Sequence, residues 1–254
     1  MEFLDALSKK NDVLFWFGLI NIISAGLFII FSFVKPLEFA GTNAWHKPIK
    51  FALSTTILSW SVAWYSGYLT PGKDLDICNW IIVLTLAFEV IYIAWQAGKG
   101  EASHYNQSTP FHAAMFTLMA LAASIATLAI GYLGLKFFSG SCSQLELHYL
   151  WAIRLGFVLF VIFSFEGFVM GAQLSHTVGN EDGTRGLPFL NWSRSVGDLR
   201  VAHFIGMHAL QVLPIVAWYL LKNVQLTVAT ACMYGILACF ILFNSLRGNS
   251  IFEF

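Results

Sequence analysis

The stretch LHYLWAIRLGFVLFVIFSFEGFVMGAQ, Leu147 to Gln173, decides how the chain must be read. It exceeds the roughly 20 residues that cross about 30 Å of hydrocarbon, and it carries a glutamate, Glu166, within its apolar run. Only a helix pairs all its own backbone groups in lipid, so the stretch reads as a transmembrane helix. The composition agrees with a membrane setting. The 254 residues are 57% hydrophobic and 11% charged, with a mean hydropathy of +0.69, which no water-soluble domain would tolerate.

Six further runs of this kind flank it. They are Val13 to Val34, Ile49 to Tyr68, Cys78 to Gln96, Pro110 to Leu135, Leu199 to Leu221 and Gln225 to Leu246. The expected fold is all-α, a polytopic bundle of seven transmembrane helices, with residues 1–254 forming a single integral membrane domain in the lipid bilayer. No cleavable signal peptide is expected ahead of the first span.

An odd number of spans puts the termini on opposite sides. Lys9, Lys10, Lys73, Lys136 and Lys222 fall on the amino-terminal side; Lys35, Lys47, Lys50, Lys99, Arg185, Arg194, Arg200 and Arg247 fall on the other. The positive-inside rule then favours a cytoplasmic carboxyl terminus in a bacterial inner membrane, although Lys9 and Lys10 pull the other way. Cys78 and Cys142 share the amino-terminal side and could pair in an oxidising compartment, with two lone thiols as the alternative.

The loops on the two sides differ. One side has short turns such as Thr70-Pro71-Gly72-Lys73, whereas the other carries Lys35 to Pro48, Ala97 to Thr109 and Leu174 to Asp198, rich in aromatic, histidine and amide residues. Binding residues concentrate on such loops.

Ionisable groups at membrane depth are costly and mark function by default. Glu89 and Gln96 in the third span repeat, at the same spacing of seven, as Glu166 and Gln173 in the fifth. Each of these spans leads through a long loop into a span that opens with a histidine, His112 and His203, as the second span opens with His46. This suggests three parallel hairpins followed by a closing helix. Helical periodicity lines up Glu89, Tyr92 and Gln96; Glu166, Met170 and Gln173; His112, Met115 and Met119; and Arg200, His203, Met207 and Gln211. With His208 at depth, the stripes describe one polar funnel opening toward the long loops. Ser108 or Thr109 before Pro110, and Ser195 to Asp198, carry helix-start signals.

A shared pocket of this composition suits a transition metal (Fe, Zn or Cu) or haem, used for redox or hydrolytic chemistry. His112, His203 and His46 are the candidate metal ligands. Glu89 and Glu166 are candidate ligands or proton acceptors, with Arg200 as an electrostatic partner, and His208, Met115, Met207, Gln96 and Gln173 are candidate cofactor contacts. His203 and His208 differ by about 140° around their helix and would not share one metal. A second reading is a proton-linked transporter, channel or receptor for a small solute, anionic because Lys47, Lys50, Arg185, Arg194 and Arg200 stand near the mouth. Pro214 is the one clear helix breaker within a span.

Structural readings compete at each position. A buried glutamate can be protonated and bonded to Gln96, Gln173 or Tyr92, histidines at helix entries can serve headgroups or loop carbonyls, and methionines at helical spacing are usually packing. Gly167 and Gly171 flank Glu166 as a small-xxx-small pair that suits close helix packing. Retinal binding lacks a lysine between Gln225 and Leu246, no phosphate-binding glycine loop or Gly-x-Ser-x-Gly occurs, and the balanced charge gives nucleic-acid binding no support.

Phe204-Ile205-Gly206-Met207-His208-Ala209-Leu210, together with a glutamate inside the third span, resembles the seven-helix third subunit of haem-copper oxidases over about a tenth of the chain. The long loop from Leu174 to Asp198 and the weakly polar last helix depart from that pattern. The resemblance implies a third class of role, an accessory subunit that itself carries neither haem nor copper.

Overall fold

The computed structural model describes residues 2–140, 142, 144–179 and 186–252. These residues form an all-helical bundle: α1 (Glu2–Lys10), α2 (Asp12–Val34), α3 (His46–Ser66), α4 (Lys73–Ala97), α5 (Pro110–Ser139), α6 (Leu147–Gln173), α7 (Leu199–Val216) and α8 (Val224–Leu246). Six helices (α2, α4, α5, α6, α8, and α7 with the turn that follows it) are long and apolar enough to cross a membrane, so the chain is a helical integral membrane protein. Helix α3 is not among them. It carries Lys47 and Lys50 and six serines and threonines: Ser54, Thr55, Thr56, Ser59, Ser61 and Ser66.

Helix ends follow local chemistry. Thr109 caps α5, its hydroxyl accepting from the His112 N–H, with Pro110 at the first helical position. At α7 the cap is Asp198, which accepts from the Arg200 N–H, rather than Ser195. Asp198 also accepts from the Ser193 N–H at 2.7 Å and so fastens the preceding loop. Pro214 lies within α7, and the helix ends in a π-helical turn, Ala217–Leu221. Helix α1 went unanticipated; it packs beside α2 and α3, with Lys10 Nζ 3.6 Å from the centre of the Tyr68 ring.

Neighbouring helices pack most closely as α2–α3, α4–α5 and α6–α7, three successive hairpins, with α8 against α6 and α7. In lipid there is little hydrophobic drive between helices, so close approach depends on small residues. A Cβ on Gly156 would meet the α7 backbone, 3.1 Å from Leu210 Cα, and one on Gly206 would lie 1.9 Å from the Phe163 ring. A Cβ on Gly18 would lie 2.2 Å from Trp60 Nε1, which donates to the Phe15 carbonyl at 3.1 Å. Gly167 faces His203, whereas Gly171 has nothing within 4 Å, so the expected small-xxx-small pair acts through one member only.

The long loops fold over one end of the bundle. Glu38–Phe39 pairs with Thr42–Asn43 around Ala40 and Gly41, both at positive φ, and Thr177–Val178 pairs with Gly197–Asp198 to close the ends of the longest loop. Cys78 and Cys142 are buried, unpaired thiols.

Replacing Gly206 by alanine should overpack the α6–α7 contact and destabilise the protein by about 1–3 kcal/mol, whereas Gly171→Ala should be neutral. Thermal unfolding in detergent measures both; equal losses would contradict this packing.

Candidate functional site

The α6–α7 contact brings one anticipated pair together. His203 Nδ1 lies 3.1 Å from Glu166 Oε2, with the carboxylate buried and the imidazole partly exposed. Gly167 makes room for it, since the His203 ring passes 3.3 Å from where a Cβ would stand. Glu166 Oε1 is buried with no hydrogen-bond partner. A carboxylate and an imidazole at this distance can share or exchange one proton, and the unsatisfied oxygen leaves a second place for it.

Two polar stripes face each other next to this pair. On α3, Lys50, Ser54, Ile57 and Ser61 recur at helical spacing; on α7, Arg200, His203, Met207 and Gln211 do. The stripes meet at one end, where Lys50 Nζ donates to the Leu190 carbonyl at 3.0 Å within electrostatic range of Arg200 and Asp198. They meet again at the other, where the Gln211 amide donates to Ser61 Oγ at 3.1 Å and the Tyr65 hydroxyl to the Leu210 carbonyl at 2.8 Å.

Between these contacts lies a cleft of about 20 Å³, room for about one water, bounded by Ser54, Ile57, Leu58, Phe160, Met207, His208 and Gln211. His208 Nδ1 contacts the Phe204 carbonyl at 2.8 Å, which fixes that nitrogen as the donor. In the neutral ring Nε2 is then the acceptor.

Arg200 is engaged elsewhere than expected. It holds Asp198 at 2.9 Å and 2.5 Å and the Asn191 carbonyl at 2.6 Å, fastening the loop to α7 rather than facing Glu166. Lys47, His46, His104 and His176 belong to the same end of the bundle. His46 packs on Phe189, and Tyr105 on His176, with ring centroids 5.4 Å and 4.8 Å apart. Arg194 is exposed, and Arg185 lies outside the described residues.

The single funnel is corrected by these placements. Glu89 is buried on α4, and no hydrogen bond or ion pair joins it to Glu166 or His203 among the described residues; α4 packs against α2, α3 and α5. His112 is held locally, its Nδ1 3.0 Å from Ser108 Oγ and its Nε2 3.4 Å from Glu101. Met115 packs with Tyr92, Ile93 and Met119, away from Met207 at the cleft. Gln96 is fully buried and Gln173 exposed, so these two amides are not equivalent. The physical reason is that periodicity gives each stripe a direction on its own helix but not the neighbour it meets.

Among the described residues no three His, Cys, Asp or Glu side chains form a group that could hold a metal ion, and His46, His112 and His203 stay on separate elements. Sequence reasoning passed over Ser54 and Ser61 of α3. The signal was present in the hydroxyl content that makes α3 the least apolar of the long helices.

Neither a protein family, nor a characterised protein, nor a solved structure matches this chain. Its function is therefore argued from the site.

The loop cap contains a pH-sensitive contact. His104 sits among Phe51, Tyr105 and Phe116. Burial pushes its pKa well below the ordinary value, and the charges of Lys47 and His176 act in the same direction. His104 therefore stays neutral in the folded cap while an unfolded histidine would take up a proton. Stability from this contact is present above about pH 6.5 and is lost as the pH falls below that value. Amide exchange over residues 98–109, corrected for its intrinsic rate, should accelerate below about pH 6.5, and His104→Asn should remove the acceleration. No change with pH in the native protein would contradict the buried neutral imidazole.

Proposed function

We propose that this is a seven-span membrane protein that admits a small carboxylate at the α3–α7 groove and couples its binding or passage to a proton on Glu166–His203. The observation that carries the reading is the buried carboxylate–imidazole pair at 3.1 Å, with one carboxylate oxygen unsatisfied, its histidine one helical turn along α7 from Met207 at the groove. Helix α3 is the seventh span in this reading. Its hydroxyls are tolerable at membrane depth because several bond within the protein, as Thr56 does to the Gly18 and Ala52 carbonyls at 3.1 and 3.0 Å.

The groove's chemistry suggests the ligand. Ser54, His208 and Gln211 offer polar contacts within an otherwise apolar lining of about 20 Å³, which suits a ligand of very few heavy atoms, and Lys50, one turn along α3 from Ser54, suits a carboxylate or similar anion. Acid–base chemistry is preferred to metal or haem chemistry because the Glu166 carboxylate and the His203 imidazole are each other's partner, the arrangement that holds a shared proton.

Binding of formate to the protein in zwitterionic nanodiscs, measured by calorimetry in buffers of differing ionisation enthalpy, tests this. Saturable binding with net proton uptake is expected; Lys50→Gln should weaken it about tenfold, and Glu166→Gln should abolish the proton uptake. Equal binding of the methylammonium cation, or formate binding unchanged by Lys50→Gln, would refute the assignment.

A further inference from the structure

A second set of buried polar atoms lies apart from the groove, on α4. Glu89, Tyr92 and Gln96 follow one another along one face, about 4.5 Å and 6 Å apart in rise. They are 9%, 2% and 0% exposed, and Glu89 Oε1, the Tyr92 hydroxyl and Gln96 Oε1 all lack a hydrogen-bond partner. An unsatisfied polar atom inside hydrocarbon costs free energy. Three in succession on one helix face, each presenting oxygen, point to something that travels along them.

The outer end of this row leads to titratable groups. The Gln96 amide nitrogen donates to the Ala102 carbonyl at 2.9 Å, which ties the row to the loop after α4. Next in that loop is Glu101, within electrostatic range of Tyr92 and 3.4 Å from His112 Nε2 at the start of α5. Glu101 is exposed, so this pair meets water. The inner end is closed by apolar contacts, Tyr92 and Ile93 packing with Met115, Met119, Phe51 and Phe88.

We propose that Glu101–His112, Tyr92 and Glu89 form a proton-uptake track between α4 and α5. A proton from bulk water is taken up at Glu101–His112. Tyr92 accepts it on its oxygen while releasing its own hydroxyl proton inward, and the Glu89 carboxylate becomes a carboxylic acid. The net change is one proton removed from water and one buried negative charge neutralised. The track stands independently of the groove.

No other charge on the neighbouring helices competes for Glu89. The ionisable residues of α2, α3 and α5 are Asp12, His46, Lys47, Lys50, Tyr65, His112, Tyr132 and Lys136, and all lie toward helix ends. Those of α4 itself, apart from Tyr92, are Lys73, Asp74, Asp76 and Cys78 in its first turns.

The test is time-resolved infrared spectroscopy of the full chain in lipid after a pH jump, read at the protonated carboxyl band. It is run in a Glu166→Gln background, so that failure of the groove reading leaves this measurement intact. A band that titrates with pH and vanishes with Glu89→Gln is expected. Tyr92→Phe, which removes one hydroxyl without altering the packing, should slow its appearance by about a hundredfold at unchanged final amplitude. Glu101→Gln should slow it as well. A Glu89 band that stays constant across the pH range, or a Tyr92→Phe response at the unsubstituted rate, would overturn the proposal.

Discussion

The architecture rests on how closely α6 can approach α7. In lipid an apolar surface gains little by leaving its surroundings, so two helices meet tightly only where side chains allow the backbones together. Gly156 against the α7 backbone and Gly206 against Phe163 provide that approach, and Gly167 admits the His203 ring beside Glu166. The buried carboxylate then meets an imidazole at 3.1 Å instead of standing alone. Packing and chemistry at this interface have the same cause: residues small enough to be passed.

The groove follows from a second constraint. Helix α3 meets α7 at its two ends, through Lys50 beside Asp198 and Arg200 and through Ser61 and Tyr65 against Gln211 and Leu210, while Phe160 of α6 borders the space between. Asp198 holds the cap over that space: it begins α7, binds Arg200 and accepts from Ser193. One buried aspartate thus orders the longest loop and sets the mouth of the groove. The Glu89 row on α4 has no such partner, and its chemistry is directed toward Glu101 and His112 instead.

Much of this was legible in the sequence. Apolar run length located every long helix to within a few residues, and Thr109-Pro110 marked the start of α5 because capping is a local interaction. The matched spacing of Glu89 with Gln96 and of Glu166 with Gln173 suggested two equivalent pairs, and the structure buries both members of the first but only Glu166 of the second. Spacing could not reveal that Gln96 is buried and Gln173 exposed, because in a bilayer the inward and outward faces of a helix are both apolar. His112 looked like a partner for His203, yet its own first turn and Glu101 satisfy it, a local competition that periodicity does not weigh. The groove escaped notice because Ser54 and Ser61 carry no charge, and hydroxyls bonded to their own helix are common enough to pass as filler.

The central claim of the proposed function is that small solutes reach the mixed polar and apolar cleft between α3 and α7 from the long-loop side. Thiol labelling in sealed vesicles tests it most directly, in a background where Cys78, Cys142, Cys232 and Cys239 are alanine. A small membrane-impermeant thiol reagent added from the long-loop side should modify Ser54→Cys and leave Leu84→Cys, on the outward face of α4, untouched. If Ser54→Cys proves as inert as Leu84→Cys, the groove is sealed from water and the account is wrong.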